Sequence, residues 1–169
     1  MKKQNGFTLL IAALVASIVL SLGASIFSIA KKQLALSSTS RESQFAFYTA
    51  DSAAECALYW DVRHNFFGTT TPIDVISPAP KCDGVSLVPL GSSDFNSQRP
   101  PAGSLNPYPY MMYFQSSLGG QCEQVEVKKT QNSVTGVIST NIYADGFNVD
   151  CASIETSKKS LVRSVELSY

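Results

Sequence analysis

The four cysteines are the residues of this sequence whose chemistry is easiest to interpret: Cys56, Cys82, Cys122 and Cys151. None belongs to a C-x-x-C motif and His64 is the only histidine, so the spacing does not suit a metal site. An even number of widely spaced cysteines is typical of disulfides in an oxidising compartment. Of the three possible pairings we expect Cys56–Cys82 and Cys122–Cys151, because each closes a local loop of roughly 25–30 residues.

Three carboxylates resemble a catalytic set, because Asp51, Glu55 and Asp61 follow one another along a predicted helix. In the sequence, no nucleophile, second histidine or phosphate-binding loop accompanies them. We therefore interpret the three as a solvated helix face. The sequence predicts that the protein is not an enzyme and holds no cofactor.

A calcium loop is the other candidate for chemistry, because Asp145, Asn148 and Asp150 lie close together in the sequence. Carboxylate and amide oxygens are the ligands that calcium prefers. The spacing matches no specific ligand loop, however, so no metal site is predicted.

The element that must position these residues begins with an apolar run at residues 7–30, which contains no charge and no proline. As a helix it spans roughly 36 Å, enough to cross a hydrocarbon core of about 30 Å. A buried core helix rarely stays uncharged on every face for so long. A cleaved secretory signal has a shorter apolar region that ends at its cleavage site. The run therefore predicts a membrane-spanning helix.

A short basic leader precedes the run: residues 2–6 read KKQNG, and residues 7–10 read FTLL. This boundary resembles the type III signal of type IV pilins and type II secretion pseudopilins. The resemblance implies that a prepilin peptidase cuts after Gly6, N-methylates Phe7 and leaves the apolar helix on the protein. It also implies membrane lipid, the inner-membrane assembly platform and other pilin subunits as partners.

One position departs from that family, whose usual fifth mature residue is a glutamate. In this sequence the position is occupied by Ile11. The glutamate is thought to meet the N-terminal amine of a neighbouring subunit, which suits the need to pair a buried charge. Ile11 cannot do so, and the chain resembles minor pilins placed at the fibre tip. The alternative is that this lineage simply tolerates Ile11.

Small residues in the apolar run would let neighbouring helices approach closely in a fibre. They are Ala12, Ala13, Ala16, Ser17, Ser21, Gly23 and Ala24.

Charge excludes a nucleic-acid-binding surface, because 13 basic residues balance 13 acidic ones and no basic run is present. Charge does not decide the topology either. Lys2 and Lys3 precede the apolar run, while Lys31 and Lys32 follow it. The orientation rests on the leader and on the cysteines, which favour an extracytoplasmic head.

The remaining pattern divides the chain into a leader at 1–6, a membrane-spanning assembly helix at 7–30, an outer amphipathic helix at 31–67, a proline-rich loop region at 68–120 and an antiparallel sheet at 121–169. All eight prolines fall in the fourth region, which favours short strands only, at 85–88 and 110–114. Residues 91–109 are predicted to form an exposed loop.

Strands are predicted after residue 121, where apolar and polar residues alternate. We expect residues 144–146 to end one strand, and residues 149–154 and 161–169 to add two more. A sheet with one apolar face needs a cover, which the outer helix supplies. The predicted fold is α+β and pilin-like, with the long N-terminal helix packed on a C-terminal antiparallel sheet.

The tyrosines at the start of the predicted sheet allow two interpretations. Tyr108, Tyr110 and Tyr113 could form an adhesive patch, because amphipathic aromatic side chains suit recognition. They could also simply cover the sheet, and we favour this second interpretation.

The sequence as a whole predicts a structural subunit, minor or at the tip, of a type IV pilus or pseudopilus. Its expected location is the bacterial cytoplasmic membrane, crossed once, and the pilus or cell surface after assembly. Two other classes stay open: a single-span membrane-anchored binding or adhesion protein that does not polymerise, and an enzyme tethered by a signal anchor. The missing catalytic residues disfavour the enzyme.

Overall fold

The fold is α+β, as the sequence predicts: one long N-terminal helix packs on a C-terminal antiparallel sheet. The computed structural model describes residues 5–68, 80–101, 104–105 and 107–169. The chain divides into two compact units, residues 1–41 and residues 42–169. We call the second unit the head.

The helix α1 runs over Asn5–His64. Every described side chain from residue 7 to residue 41 is exposed, whereas alanines line the buried face in the head. The predicted end at residue 67 is three residues too late. Asn65 takes the left-handed conformation (φ 49°), and its N–H donates to the Asp61 carbonyl at 2.9 Å. Asparagine adopts this conformation more readily than most residues, so the helix ends before it.

Among the residues that the structure describes, seven strands follow the helix. Two of them, β1 (Lys81–Cys82) and β2 (Val85–Ser86), form a small hairpin. The other five form one antiparallel sheet in the order β3-β4-β5-β6-β7. Their bounds are β3 Val88–Pro89, β4 Tyr110–Leu118, β5 Gln121–Gln131, β6 Ile138–Phe147 and β7 Val162–Ser168.

The sheet differs from its predicted outline in three places. It begins at Val88, inside the region 68–120 that was expected to be mostly loop. Strand β6 continues through residues 144–146, which were expected to end it. The expected strand at 149–154 is instead a short 3-10 helix, Cys151–Ser153, because the Asp150 side chain accepts a hydrogen bond from the Ser153 N–H at 2.9 Å.

The loop between β3 and β4 is also less exposed than predicted. It contains a short 3-10 helix, Asn96–Gln98, and it buries Phe95 in the core. The Phe95 ring lies 5.2 Å from the Phe66 ring, measured between centroids. The loop is thus held to the helix end by aromatic packing.

Small side chains bring the helix unusually close to the sheet. The helix face consists of alanines that are wholly buried: Ala46, Ala50, Ala53, Ala54 and Ala57. Opposite them lies Gly146 on β6, where an added Cβ would collide with the Ala46 carbonyl oxygen and the Ala50 nitrogen. The helix backbone comes so close that only glycine fits at this position. Packing therefore explains why a glycine occurs within a strand.

Candidate functional sites: the apolar helix and the polar sites of the head

The first half of α1 exposes an apolar surface on every side. By length and composition α1 is long and apolar enough to cross a membrane. Its exposed side chains include large ones such as Phe7, Leu20 and Phe27. This continuous apolar surface is far larger than the single apolar residues that are scattered over ordinary protein surfaces. Lipid or other helices must therefore cover it.

Three serine hydroxyl groups of this segment are already satisfied within the helix. Ser17 donates to the Leu14 carbonyl at 2.8 Å, and Ser21 donates to the Ile18 carbonyl at 2.8 Å. Ser25 likewise donates to the carbonyl of Ser21 at 3.0 Å. The segment can therefore enter lipid without leaving these donors unpaired.

Three of the small residues predicted for assembly, Ala12, Ala16 and Gly23, share one face of the helix. At about 100° per residue, Ala12, Ala16 and Gly23 fall within an arc of roughly 40°, and Ile11 lies about 100° away from Ala12. All four are exposed. No described atom lies within 4 Å of the place that a Cβ of Gly23 would take. The face is open to close approach by another helix.

The predicted processing boundary lies within α1. The structure describes this helix from Asn5 onward, so Gly6 and Phe7 both belong to it.

A basic group marks the end of the apolar run. The Lys31 ammonium lies 4.4 Å from the centroid of the Phe27 ring. Lys32 follows it directly, and both lysines are exposed. Long basic side chains at such a position reach toward lipid head groups while their stems remain on apolar surface.

Two disulfides link the head, in the pairing that local loop closure favours. Cys56 on α1 is bonded to Cys82 on β1, with 5.8 Å between their Cα atoms. Cys122 on β5 is bonded to Cys151, with a Cα separation of 4.7 Å. A membrane-capable helix followed by disulfides fits a single-pass protein with an extracytoplasmic head.

The carboxylate set splits up in the structure, and the prediction for Asp61 is wrong. Asp61 is only 7% exposed and forms a buried ion pair with Lys129, whose Nζ lies 2.5 Å from Oδ2. Lys129 also donates to the Thr140 hydroxyl at 3.0 Å, and the Tyr169 hydroxyl donates to Asp61 at 2.6 Å. Among the described residues, Asp61 Oδ1 has no hydrogen-bond partner.

A sequence signal for Lys129 existed in the alternation of β5. Lys129 continues the inward-facing series of Val125 and Val127, so its side chain points at the helix. Asp61 carries a similar signal, because it lies four residues after Ala57 on the alanine-lined buried face of α1. Its partner is 68 residues away in the chain, so local pattern does not identify the pair. The other two carboxylates are accessible: Glu55 is exposed and Asp51 is half-buried.

Two tyrosines are held neutral near this ion pair. Burial is the main cause that raises the pKa of both Tyr110 and Tyr169 above the ordinary value near 10. Each then remains a hydrogen-bond donor: Tyr110 donates to the Phe67 carbonyl, and Tyr169 donates to Asp61.

The tyrosines of β4 do not form one patch. Tyr110 is buried against the helix, while Tyr113, three residues later, lies on the opposite face of the sheet and is exposed. Strand alternation causes this separation, because the two positions differ by three and an odd difference places side chains on opposite faces. Tyr108 is half-buried, and its ring lies 5.4 Å from the ring of Tyr110. Tyr108 and Tyr110 therefore cover the core, as favoured above.

A second buried carboxylate, which the sequence reasoning missed, is Glu123 on β5. It is 5% exposed and accepts a hydrogen bond from the Ser116 hydroxyl. It lines a cavity of about 190 Å³ between α1 and the turns that follow β1 and β4, where Asp83 and Gln121 also lie. Burial raises the pKa of Glu123, the nearby Asp83 carboxylate raises it further, and the hydrogen bond from Ser116 lowers it.

The raised pKa of Glu123 predicts a pH-dependent stability. A carboxyl group with a raised pKa in the folded state stabilises the fold fully below its unfolded pKa, about 4.3, and this contribution is lost as the pH rises through the folded pKa. We expect Glu123→Gln to be more stable than the wild-type chain at neutral pH and to lose this dependence. Denaturant unfolding at several pH values measures it, with the exposed Glu166→Gln as a control. Equal pH profiles for Glu123→Gln and wild type would contradict the prediction.

The residues considered for a calcium loop are engaged with other protein groups. Asp145 accepts a hydrogen bond from the Ser164 hydroxyl at 2.5 Å, and Asp150 caps the 3-10 helix. Asn148 donates to Glu42 and accepts from the N–H of Leu161. Within the described ranges, no group of three or more acidic, histidine or cysteine side chains could hold a metal ion.

Comparison with known proteins finds no match: no family profile, curated protein or solved structure matches this chain. Its own residues therefore carry the evidence for its function. They are the exposed apolar half of α1 and the disulfide-linked head.

Proposed function

We propose that the protein is a structural subunit of a type IV pilus or pseudopilus that assembles through the apolar half of α1. The observation that carries this proposal is one uninterrupted helix of 60 residues whose first part exposes only an apolar surface and whose last part forms the helix of the head. A simple membrane anchor does not need such continuity. A fibre subunit does, because the same helix must anchor in lipid, bundle with neighbours and carry the head.

The proposed mechanism has three stages. A prepilin peptidase cuts between Gly6 and Phe7 and methylates the new terminus. Membrane lipid then holds the processed subunit, with the head outside the bacterial cytoplasmic membrane. The inner-membrane assembly platform finally extracts it, so that other pilin subunits replace lipid around the face of Ala12, Ala16 and Gly23.

The mature N-terminus tests this proposal directly. Mass spectrometry of the protein from cells with an active prepilin peptidase should show N-methylated Phe7 as the first residue. Gly6→Leu should block processing, because a bulky side chain enters the cleaved bond, while Asn5→Leu should still be processed. A chain that begins at Met1 in those cells would refute the fibre proposal and favour the anchored protein that does not polymerise.

Ile11 supports a minor or tip position, because a subunit without a carboxylate there cannot pair with the amine of a neighbour. We expect Ile11→Glu to move the subunit from fibre ends into the shaft, as seen by immunogold labelling along purified fibres. Leu10→Glu is the matched control, since it places the charge about 100° away on the helix. Labelling confined to the ends in both variants would contradict this role for Ile11.

A further inference from the structure

Glu123 is a buried carboxylate that lacks a cation. Its only hydrogen bond in the described chain comes from Ser116, and no described lysine or arginine nitrogen lies within 4.0 Å of it. The other buried carboxylate, Asp61, does have such a partner in Lys129. Buried charges in proteins are normally paired, so an unmatched one at a cavity points to a group that arrives from outside.

The cavity beside Glu123 is built from three separate elements. Tyr48 and Ser52 come from α1, Asp83 comes from the turn after β1, and Gln121 begins β5. Hydrogen bonds join these elements across the cavity. Thr49 on α1 donates to Gln121 at 2.7 Å, and Ser52 donates to Asp83 at 3.4 Å. The walls are thus fixed before any ligand arrives.

Both disulfides hold the carboxylates in place. Asp83 directly follows Cys82, which is bonded to α1, and Glu123 directly follows Cys122, which is bonded to Cys151. A site whose charged groups are covalently restrained loses little conformational entropy on binding. This arrangement favours a preformed binding pocket over an accidental gap.

The size of the cavity selects one kind of occupant. Its volume of about 190 Å³ equals that of about six water molecules, at about 30 Å³ each. Pockets for small-molecule ligands usually begin at about 300 Å³. A single long side chain fits the volume, with its apolar stem against Tyr48 and its charged end at the two carboxylates.

We propose that this pocket binds a lysine or arginine side chain presented by an adjacent protein subunit. The two carboxylates supply the charge complementarity, and the volume suits one side chain. The identity of the neighbour as a fibre subunit rests on the proposed function, but the chemistry of the pocket does not.

The pocket is tested first with a small probe on the full chain in detergent micelles. The probe is Nα-acetyl-lysine methylamide, and its neutral control is the 6-hydroxynorleucine analogue. We expect the lysine probe to shift the amide NMR signals of Thr49, Ser52 and Asp83, with saturation in the millimolar range. Glu123→Gln should weaken binding at least tenfold, whereas Glu126→Gln, on the opposite face of β5, should leave it unchanged.

Two results from this titration would overturn the pocket assignment. One is equal binding of the charged and neutral probes, which would make the cavity merely apolar. The other is the absence of shifts in the wild-type chain. Failure of the pocket can be distinguished from failure of the fibre proposal. A chain with N-methylated Phe7 and no probe binding refutes the pocket alone. A chain that starts at Met1 and binds the probe refutes the fibre alone.

The neighbour is identified by a photoreactive amino acid in place of Tyr48, activated in intact cells. The cross-linked peptide should come from a pilin subunit and contain a lysine or arginine whose replacement by glutamine removes the cross-link. The cross-link should also be lost with Glu123→Gln and retained with Glu126→Gln. Cross-links to lipid only, or cross-links insensitive to Glu123→Gln, would overturn the proposal.

Discussion

Replacing Lys129 with methionine is expected to lower the free energy of unfolding of the head by about 3–5 kcal/mol. The substitution shortens the side chain by one heavy atom and removes the charge that lies 2.5 Å from Asp61. Asp61 would then remain buried with no cation, and its Oδ1 already lacks a hydrogen-bond partner among the described residues. Removing one member of a buried pair costs far more than the pair itself contributes, because the other charge stays desolvated.

The measurement is denaturant unfolding of the full chain in detergent, followed by tryptophan fluorescence. Trp60 is the only tryptophan, and it is buried at the end of α1 in the head core. Lys128→Met is the matched control, because that lysine lies on the other face of β5 and should change stability by no more than about 0.5 kcal/mol.

A double variant separates the lost charge from lost packing. Asp61→Asn combined with Lys129→Met removes both charges and should recover most of the stability lost in Lys129→Met alone. If Lys129→Met were as stable as Lys128→Met, the buried ion pair would not exist in solution.

Replacing Gly146 with alanine is the second large effect, with an expected loss of about 1–3 kcal/mol from overpacking. The new Cβ would collide with backbone atoms of Ala46 and Ala50, and a backbone cannot rotate away as a flexible side chain can. The helix must therefore lift from β6, which also loosens the contacts of its buried alanines.

The same substitution at Gly23 provides the control. A Cβ there meets no described atom within 4 Å, so Gly23→Ala should leave the unfolding of the head unchanged. Fluorescence of Trp60 reports both variants. Equal stability of Gly146→Ala and the wild-type chain would mean that the helix does not pack on β6 at this distance.

The sequence predicted those elements that depend on patterns among neighbouring residues. The uncharged run and its proline-free continuation predicted α1, and alternation predicted strands in the last third of the chain. The disulfide pairing followed from loop length, because each bond joins residues fewer than 30 positions apart.

Contacts between distant residues were not predictable in this way. Asp61 lies on the buried face of α1, but only the fold shows that Lys129, 68 residues later, pairs with it. The predicted strands at 85–88 and 110–114 fall on β2, the start of β3 and the first half of β4, but the prolines obscured how far the sheet extends. Pro89 lies in the edge strand β3, and Pro109 directly precedes β4. A proline is tolerated at both places, since neither removes a hydrogen bond from the middle of a sheet.

The two disulfides also determine how the protein would respond to mechanical force, which any fibre subunit experiences. Cys56–Cys82 connects α1 to β1 covalently, so tension on the helix reaches the small hairpin without depending on side-chain packing. If the head were pulled open, the loops closed by the bonds, with separations of 26 and 29 residues, could not extend. At about 3.4 Å per residue, the two closed loops remove roughly 180 Å from the length to which the unfolded head could be extended. The head would therefore stretch little under load. The elements that the disulfides join would stay close together, which helps the head to refold.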